Sequence, residues 1–215
     1  MPNKPELIRR SYMCEVRAEN DESGNIIIGR PIVYDSATDI GGWFEEIIER
    51  GALDDTDLTD VRFLVNHDLS KIPLARSRRN NKNSTMQLMP DKDGMTIKAR
   101  LDVENNAEAR SLYSAVQRGD ISGMSFMFSI DTDKWENQDS DYPTRRIEKI
   151  ASVIEVSAVT FPAYDETEIS TRGAQELENA RAVLEKMKNT RSNKAVETVN
   201  TELELLKLKT QIIGG

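Results

Sequence analysis

Between Ser11 and Tyr164 apolar and polar residues alternate in short runs, each closed by glycine, proline, asparagine or aspartate. That pattern makes the segment mostly β, with strands that put one face in a core. Tyr12 to Arg17 alternates and gives way to the turn-rich stretch Glu19 to Gly24. Asn25 to Tyr34 reads as a strand interrupted by Pro31, which cannot donate to a ladder. Asp35 to Gly42 is a loop, and Trp43 to Ile48 is a short element led by two aromatic residues and ended by Gly51. Val61 to Asn66 reads as a buried strand that stops at His67 and Asp68, and Leu74 to Arg78 as another. Ser84 to Met89 and Met95 to Leu101 flank Pro90 to Gly94, the pattern of a β-hairpin. Ile121 to Ile130 is a strand with Phe126 and Phe128 on one side. Polar Asp131 to Pro143, which holds Trp135, reads as an exposed loop or hairpin. Arg146 to Ser152 and Val153 to Thr160 read as two further strands.

The period changes twice. From Asn105 to Gly119 the apolar residues Ala109, Leu112, Tyr113 and Val116 recur at three and four, which predicts a helix capped by Asn105 or Asn106 and stopped at Gly119. After about Thr167 a second helical pattern begins. Leu177, Ala180, Leu184 and Met187 share a face, Asn189 to Lys194 interrupts it, and Val196, Val199, Leu203, Leu206, Thr210 and Ile213 continue it. Each run spans two to three heptads, too few for a long supercoil. Two helices with a polar link are expected, able to dock on the rest of the chain or on a partner. The divisions expected are an N-terminal arm at 1–10, a β domain at 11–170 and a helical tail at 171–215.

Composition narrows the function. Apolar residues are 38% and charged residues 31% of the chain, so part of it is expected to lie outside a compact core. The net charge of -8, with only Arg76, Arg78 and Arg79 clustered, disfavours a phosphate-binding surface as the main role. A single cysteine, Cys14, rules out an intrachain disulfide and suits a reducing compartment. No apolar run reaches the ~20 residues needed to cross a bilayer, and Met1 to Arg10 has no signal-peptide core. With one histidine and one cysteine in the chain there is no zinc ligand set, and no calcium-loop pattern is present. No metal or cofactor is expected.

Three residues from distant stretches make one chemical set. Ser125 lies in Gly123-Met-Ser-Phe-Met-Phe128, flanked by apolar residues, so its hydroxyl must find a hydrogen-bond partner. A backbone carbonyl is the ordinary one. His67, the one histidine, follows the apolar run Phe63 to Val65 at a strand end, a rigid mount. Asp68 beside it points to the opposite face if the strand continues. Glu155 sits in Ile154-Glu-Val-Ser-Ala-Val-Thr-Phe161, where Glu155, Ser157 and Val159 share a strand face. Hydroxyl nucleophile, imidazole base and orienting carboxylate are the parts of an acyl-transfer triad. An exposed edge-strand glutamate and a structural histidine are the plain readings of the same residues.

Several blocks occur in order: Gly29-Arg-Pro-Ile-Val-Tyr-Asp35, Gly41-Gly-Trp-Phe-Glu-Glu-Ile47 with Gly51-Ala52, and Leu64-Val-Asn-His67-Asp68. Gly94, Gly119-Asp-Ile-Ser-Gly-Met-Ser125-Phe and Glu155-Val-Ser-Ala-Val-Thr-Phe-Pro-Ala-Tyr164 follow. Over roughly residues 11–170 the chain resembles the prohead, or capsid maturation, serine proteases of tailed phages. The resemblance implies an α+β fold related to herpesvirus assemblins: a mainly antiparallel β-barrel with peripheral helices, followed here by the helical C-terminal tail. It implies an endopeptidase that cuts the scaffolding portion of the major capsid protein, and itself, inside the immature capsid in the host cytoplasm. By motif position Ser125 is the nucleophile and His67 the general base. Glu155 is the orienting carboxylate, with Asp68 and Asp165 as alternatives. The herpesvirus relatives carry a second histidine, which this chain lacks. Those relatives dimerise, so self-association is a further expectation. Their arginine pair after the third triad residue has no counterpart in Pro162 to Asp165, so no oxyanion-hole residue is carried over. The competing class is a non-catalytic capsid scaffolding or assembly protein that keeps the fold. The tail is expected to recruit the chain into the capsid. Deleting residues 173–215 should then reduce encapsidation, measured by the amount of chain recovered in purified immature capsids, and normal recovery would refute that role.

Overall fold

The computed structural model describes residues 7–13, 16–21, 24–160, 181–186 and 188–190. Eleven strands and helix α1 follow in order between Leu7 and Val159: β1 Leu7–Met13, β2 Val16–Asp21, β3 Gly24–Val33, β4 Ala37–Ile40, β5 Phe44–Ile48, β6 Asp60–Val65, β7 Ala75–Arg78, β8 Met86–Asp91, β9 Gly94–Leu101, α1 Ala107–Arg118, β10 Gly123–Glu136 and β11 Thr144–Val159. They make a seven-stranded sheet ordered β1-β10-β11-β5-β4, with β6 also on β11 and β7 on β6, and a four-stranded sheet ordered β2-β3-β9-β8.

The expected closed antiparallel barrel is therefore corrected to two sheets. The reason lies in β11. One edge of it pairs with β10 along its length. The other edge pairs in parallel with β5 at 144–147 and then with β6 at 155–158, so the larger sheet forks instead of wrapping. Between the two partners the segment Ala52 to Asp57 covers the edge. Ile150 N–H donates to Ala52 O, Asp57 N–H to Ala151 O and Val153 N–H to Asp57 O. These bonds engage backbone groups of the edge that neither strand partner reaches.

Other boundaries moved for local reasons. Arg146 to Thr160 forms one strand, because register shifts against β10 absorb the irregularity that reads as a break. β10 runs on through Trp135, whose ring packs against Phe44 at 5.0 Å and lies under the Arg145 guanidinium at 5.6 Å. Pro31 falls in a register shift between β3 and β9, where its missing donor costs no ladder bond. Leu7 to Arg10, within the expected arm, belong to β1. Residues 181–186 and 188–190 are helical. Cys14, Phe161 to Tyr164, Asp165 and the rest of the expected tail lie outside the described residues.

The core lies between the sheets. Phe63, Phe126 and Phe128 come from the larger sheet, Ile27, Met86, Leu88, Met95, Ile97 and Ala99 from the smaller. Helix α1 adds Ala109, Leu112, Tyr113 and Val116, the residues whose spacing predicts it. A helix of this length is marginal alone. Burial of Leu112 and Val116 contributes roughly 1.5–3 kcal/mol each. Its ends are set by capping: Asn106 Oδ1 accepts from Glu108 N–H and Ala109 N–H at 2.9 and 3.1 Å, and Gly119 at φ 78° closes the last turn. That stop delivers the chain directly into β10 and Ser125.

The β8–β9 hairpin depends on Gly94. Its φ is 142°, and a Cβ there would sit 2.0 Å from the Ile32 carbonyl oxygen. Gly94→Ala should cost about 3 kcal/mol, the range of overpacked or strained sites. That corresponds to a fall of roughly 6–12 °C in Tm by calorimetry; a Tm within about 2 °C of the parent would contradict the close approach.

Candidate active site

Glu155 is fully buried in β11, next to an irregularity in the strand. Met127 pairs with Glu155 and Phe128 with Val153, which leaves Ile154 as an extra residue immediately before it. Such a bulge re-aims the side chain beside it. The partner strand β6 runs parallel to residues 155–158, and Asn66 N–H continues its ladder to Ala158 O at 3.0 Å. Then Asn66 and His67 both take positive φ, 52° and 58°. This double left-handed step, uncommon for a non-glycine residue, turns the chain so that the imidazole returns to Glu155. His67 Nδ1 is hydrogen-bonded to Glu155 Oε1. Paired with an ionised carboxylate, which only accepts, a neutral ring takes the tautomer protonated at Nδ1, and its Nε2 is then an acceptor. Nε2 is buried and has no hydrogen-bond partner among the described residues.

Ser125 enters from the other side of β11. It is fully buried, and its register partner across the β10–β11 ladder is Ser157. Register partners share a face, with Cβ atoms about 4.5–5.5 Å apart. Ser157 Oγ in turn accepts from His67 N–H at 3.1 Å. Ser125, Ser157, Glu155 and His67 thus lie on one side of adjacent strands. The Ser125 hydroxyl itself donates to the Arg10 carbonyl of β1 at 2.8 Å. It is not engaged with Nε2 in this state.

β1 is fastened at that point. The Arg10 guanidinium forms two bonds to the buried Glu46 carboxylate of β5, at 2.5 and 2.8 Å. Arg145 approaches the same carboxylate at 3.5 Å and binds Asp133 at 2.6 Å. At the start of β6, Asp60 is hydrogen-bonded by Arg76, which holds its carboxyl below the usual carboxylate range; burial opposes this and the charges of Arg62 and Arg76 reinforce it. The strand that ends at His67 is thereby tied to β7 at its other end.

The match to known families decides what these parts belong to. Residues 13–183 match the model of the caudovirus prohead serine protease family. The chain belongs to that family. This prohead protease also resembles the solved structure of the bacteriophage T4 capsid assembly protease, with 14% sequence identity and a TM-score of 0.44, over 73% of this chain and 99% of that one. No curated protein matches its sequence.

Among the residues singled out from the sequence of the prohead protease, the structure brings His67 and Glu155 into direct contact and puts Ser125 on the same face. Asp68 goes elsewhere: its Oδ1 accepts from Ser70 N–H at 3.1 Å and Ser70 Oγ at 2.6 Å, shaping the next loop. No group of three or more metal-ligating side chains occurs among the described residues. Ser157 was missed as a member of the site. Its signal was present, since it shares a strand face with Glu155, but a serine in an alternating run is ordinarily a surface or satisfied residue.

Proposed function

We propose that this prohead protease is the endopeptidase that cuts the scaffolding portion of its major capsid protein, and itself, within the immature capsid in the host cytoplasm. Ser125 is the nucleophile, His67 the general base and Glu155 the carboxylate that orients the ring. The observation that supports the assignment is the Nδ1 bond to Glu155, two residues before Ser157, the register partner of Ser125.

Chemistry requires one rearrangement. In this reading the Ser125 hydroxyl leaves the Arg10 carbonyl by a change of staggered χ1 rotamer and engages Nε2. Oγ then attacks the scissile carbonyl carbon while its proton passes to Nε2. The imidazolium that forms is stabilised by Glu155, in a site where water competes little for the charge. The same proton returns to the leaving amine as the C–N bond breaks, giving an ester on Ser125. Water, deprotonated by Nε2, hydrolyses the ester and restores the hydroxyl.

A second reading has its own observation. The Ser125–Arg10 bond is the ordinary partnership of a buried hydroxyl, and a non-catalytic assembly protein would need nothing more. Co-expression with the capsid protein separates the two. Ser125→Ala should abolish processing while circular dichroism stays that of the parent; unchanged cleavage would reject the assignment. Glu155→Gln should lower kcat by roughly 10³–10⁴-fold, because the amide can donate to Nδ1 and favours the tautomer that cannot accept the serine proton.

A further inference from the structure

We propose that Ser157 is a positioning residue for this site, an inference that rests on the roles given to Ser125, His67 and Glu155 above. Its hydroxyl is fully buried and uses both of its capacities on the triad. It donates to Glu155 Oε2 at 2.6 Å and accepts from His67 N–H at 3.1 Å. Neither bond goes to the reacting atoms, and each removes one freedom that would misalign them.

The carboxylate end of the pair needs this help. Glu155 has three side-chain torsions, the last of them broad. With Oε1 alone bonded to His67, the carboxylate plane could rotate about that contact. Holding Oε2 fixes the plane, so Oε1 is presented to Nδ1 in one direction. The histidine end needs it as well. His67 sits at φ 58°, a conformation that persists only where its surroundings over-determine it. The preceding Asn66 is held by its backbone bond to Ala158 and by reciprocal bonds with Thr160: Nδ2–H donates to Thr160 Oγ1, and Thr160 N–H donates to Oδ1. For His67 the corresponding main-chain bond is the one to Ser157. One oxygen atom therefore couples the ring's backbone to the carboxylate that orients the ring. Ser157 also faces Ser125 across the ladder, so the same strand position sets the distance between the nucleophile and this hydrogen-bonded unit.

A merely space-filling serine would predict none of this, and the single histidine makes the difference measurable. The full chain carrying Ser125→Ala, which prevents self-cleavage, is labelled with 15N-histidine, so that every ring signal belongs to His67. The parent should show the Nδ1–H tautomer with a downfield, slowly exchanging Hδ1 proton. Adding Ser157→Ala should shift the tautomers toward Nε2–H and lose the Hδ1 signal to exchange with water. Ser157→Cys, of similar size with a weak donor, should do the same and supplies the reading if the alanine variant does not fold. Ser157→Thr, which keeps the hydroxyl, should retain the signal. With Ser125 intact, Ser157→Ala should lower kcat by about 10–100-fold with KM within about two-fold, the scale set by a misplacement near 1 Å. An unchanged Hδ1 signal and kcat in both the alanine and cysteine variants would overturn the proposal. The spectra do not depend on cleavage, so a failure of the nucleophile assignment would appear only in the activity arm.

Discussion

A carboxylate with no exposure to water has to be paired, because an isolated buried charge is far costlier than any single contact in a marginally stable domain. Glu155 meets that requirement with the Nδ1 of the chain's one histidine and the hydroxyl of Ser157. Much of the surrounding structure serves that pairing. The bulge at Ile154 aims the carboxylate, β6 runs parallel to β11 so that its end reaches the right level, and the left-handed turn at Asn66 and His67 brings the ring back. In the proposed mechanism the same pairing prepares the ring for proton transfer, since a neutral ring held through Nδ1 has Nε2 left to offer a nucleophile.

A second buried carboxylate, Glu46, works at the other boundary of the site. It anchors Arg10 of β1, and the carbonyl of that same residue takes the Ser125 hydroxyl. Removing one member of such a buried pair typically costs about 3–5 kcal/mol, and here Arg145 beside Glu46 softens the loss of Arg10. The edge strand that accepts the Ser125 hydroxyl is thereby anchored to β5.

Where local pattern and local chemistry coincide, the sequence is legible. Helix α1 follows from the spacing of Ala109, Leu112, Tyr113 and Val116 between an asparagine cap and a glycine stop, and the β8–β9 hairpin from two alternating runs around Gly94. His67 stands out by being the one imidazole, and Glu155 by its apolar neighbours. What stays hidden depends on long-range pairing. No local feature says that β11 takes two parallel partners in succession, so nothing in the sequence pattern corrects the barrel that the family resemblance implies. The polar stretch Asp131 to Glu136 reads as a loop because its strand pairing and the contacts of Trp135 with Phe44 and Arg145 come from other strands. Ser157 is visible only as a residue two positions from Glu155; its importance arises from a backbone N–H ninety residues earlier in the chain.

The most direct test of the site is covalent. The chain, purified in the state that processes capsid protein, is treated with a serine-directed fluorophosphonate and mapped by peptide mass spectrometry. A single adduct on Ser125, lost in His67→Ala, is the expected result, because only a hydroxyl whose proton can pass to Nε2 should react. An adduct on another serine, or a cleaving enzyme that takes no label at Ser125, would contradict the convergence of Ser125, His67 and Glu155 into one catalytic unit.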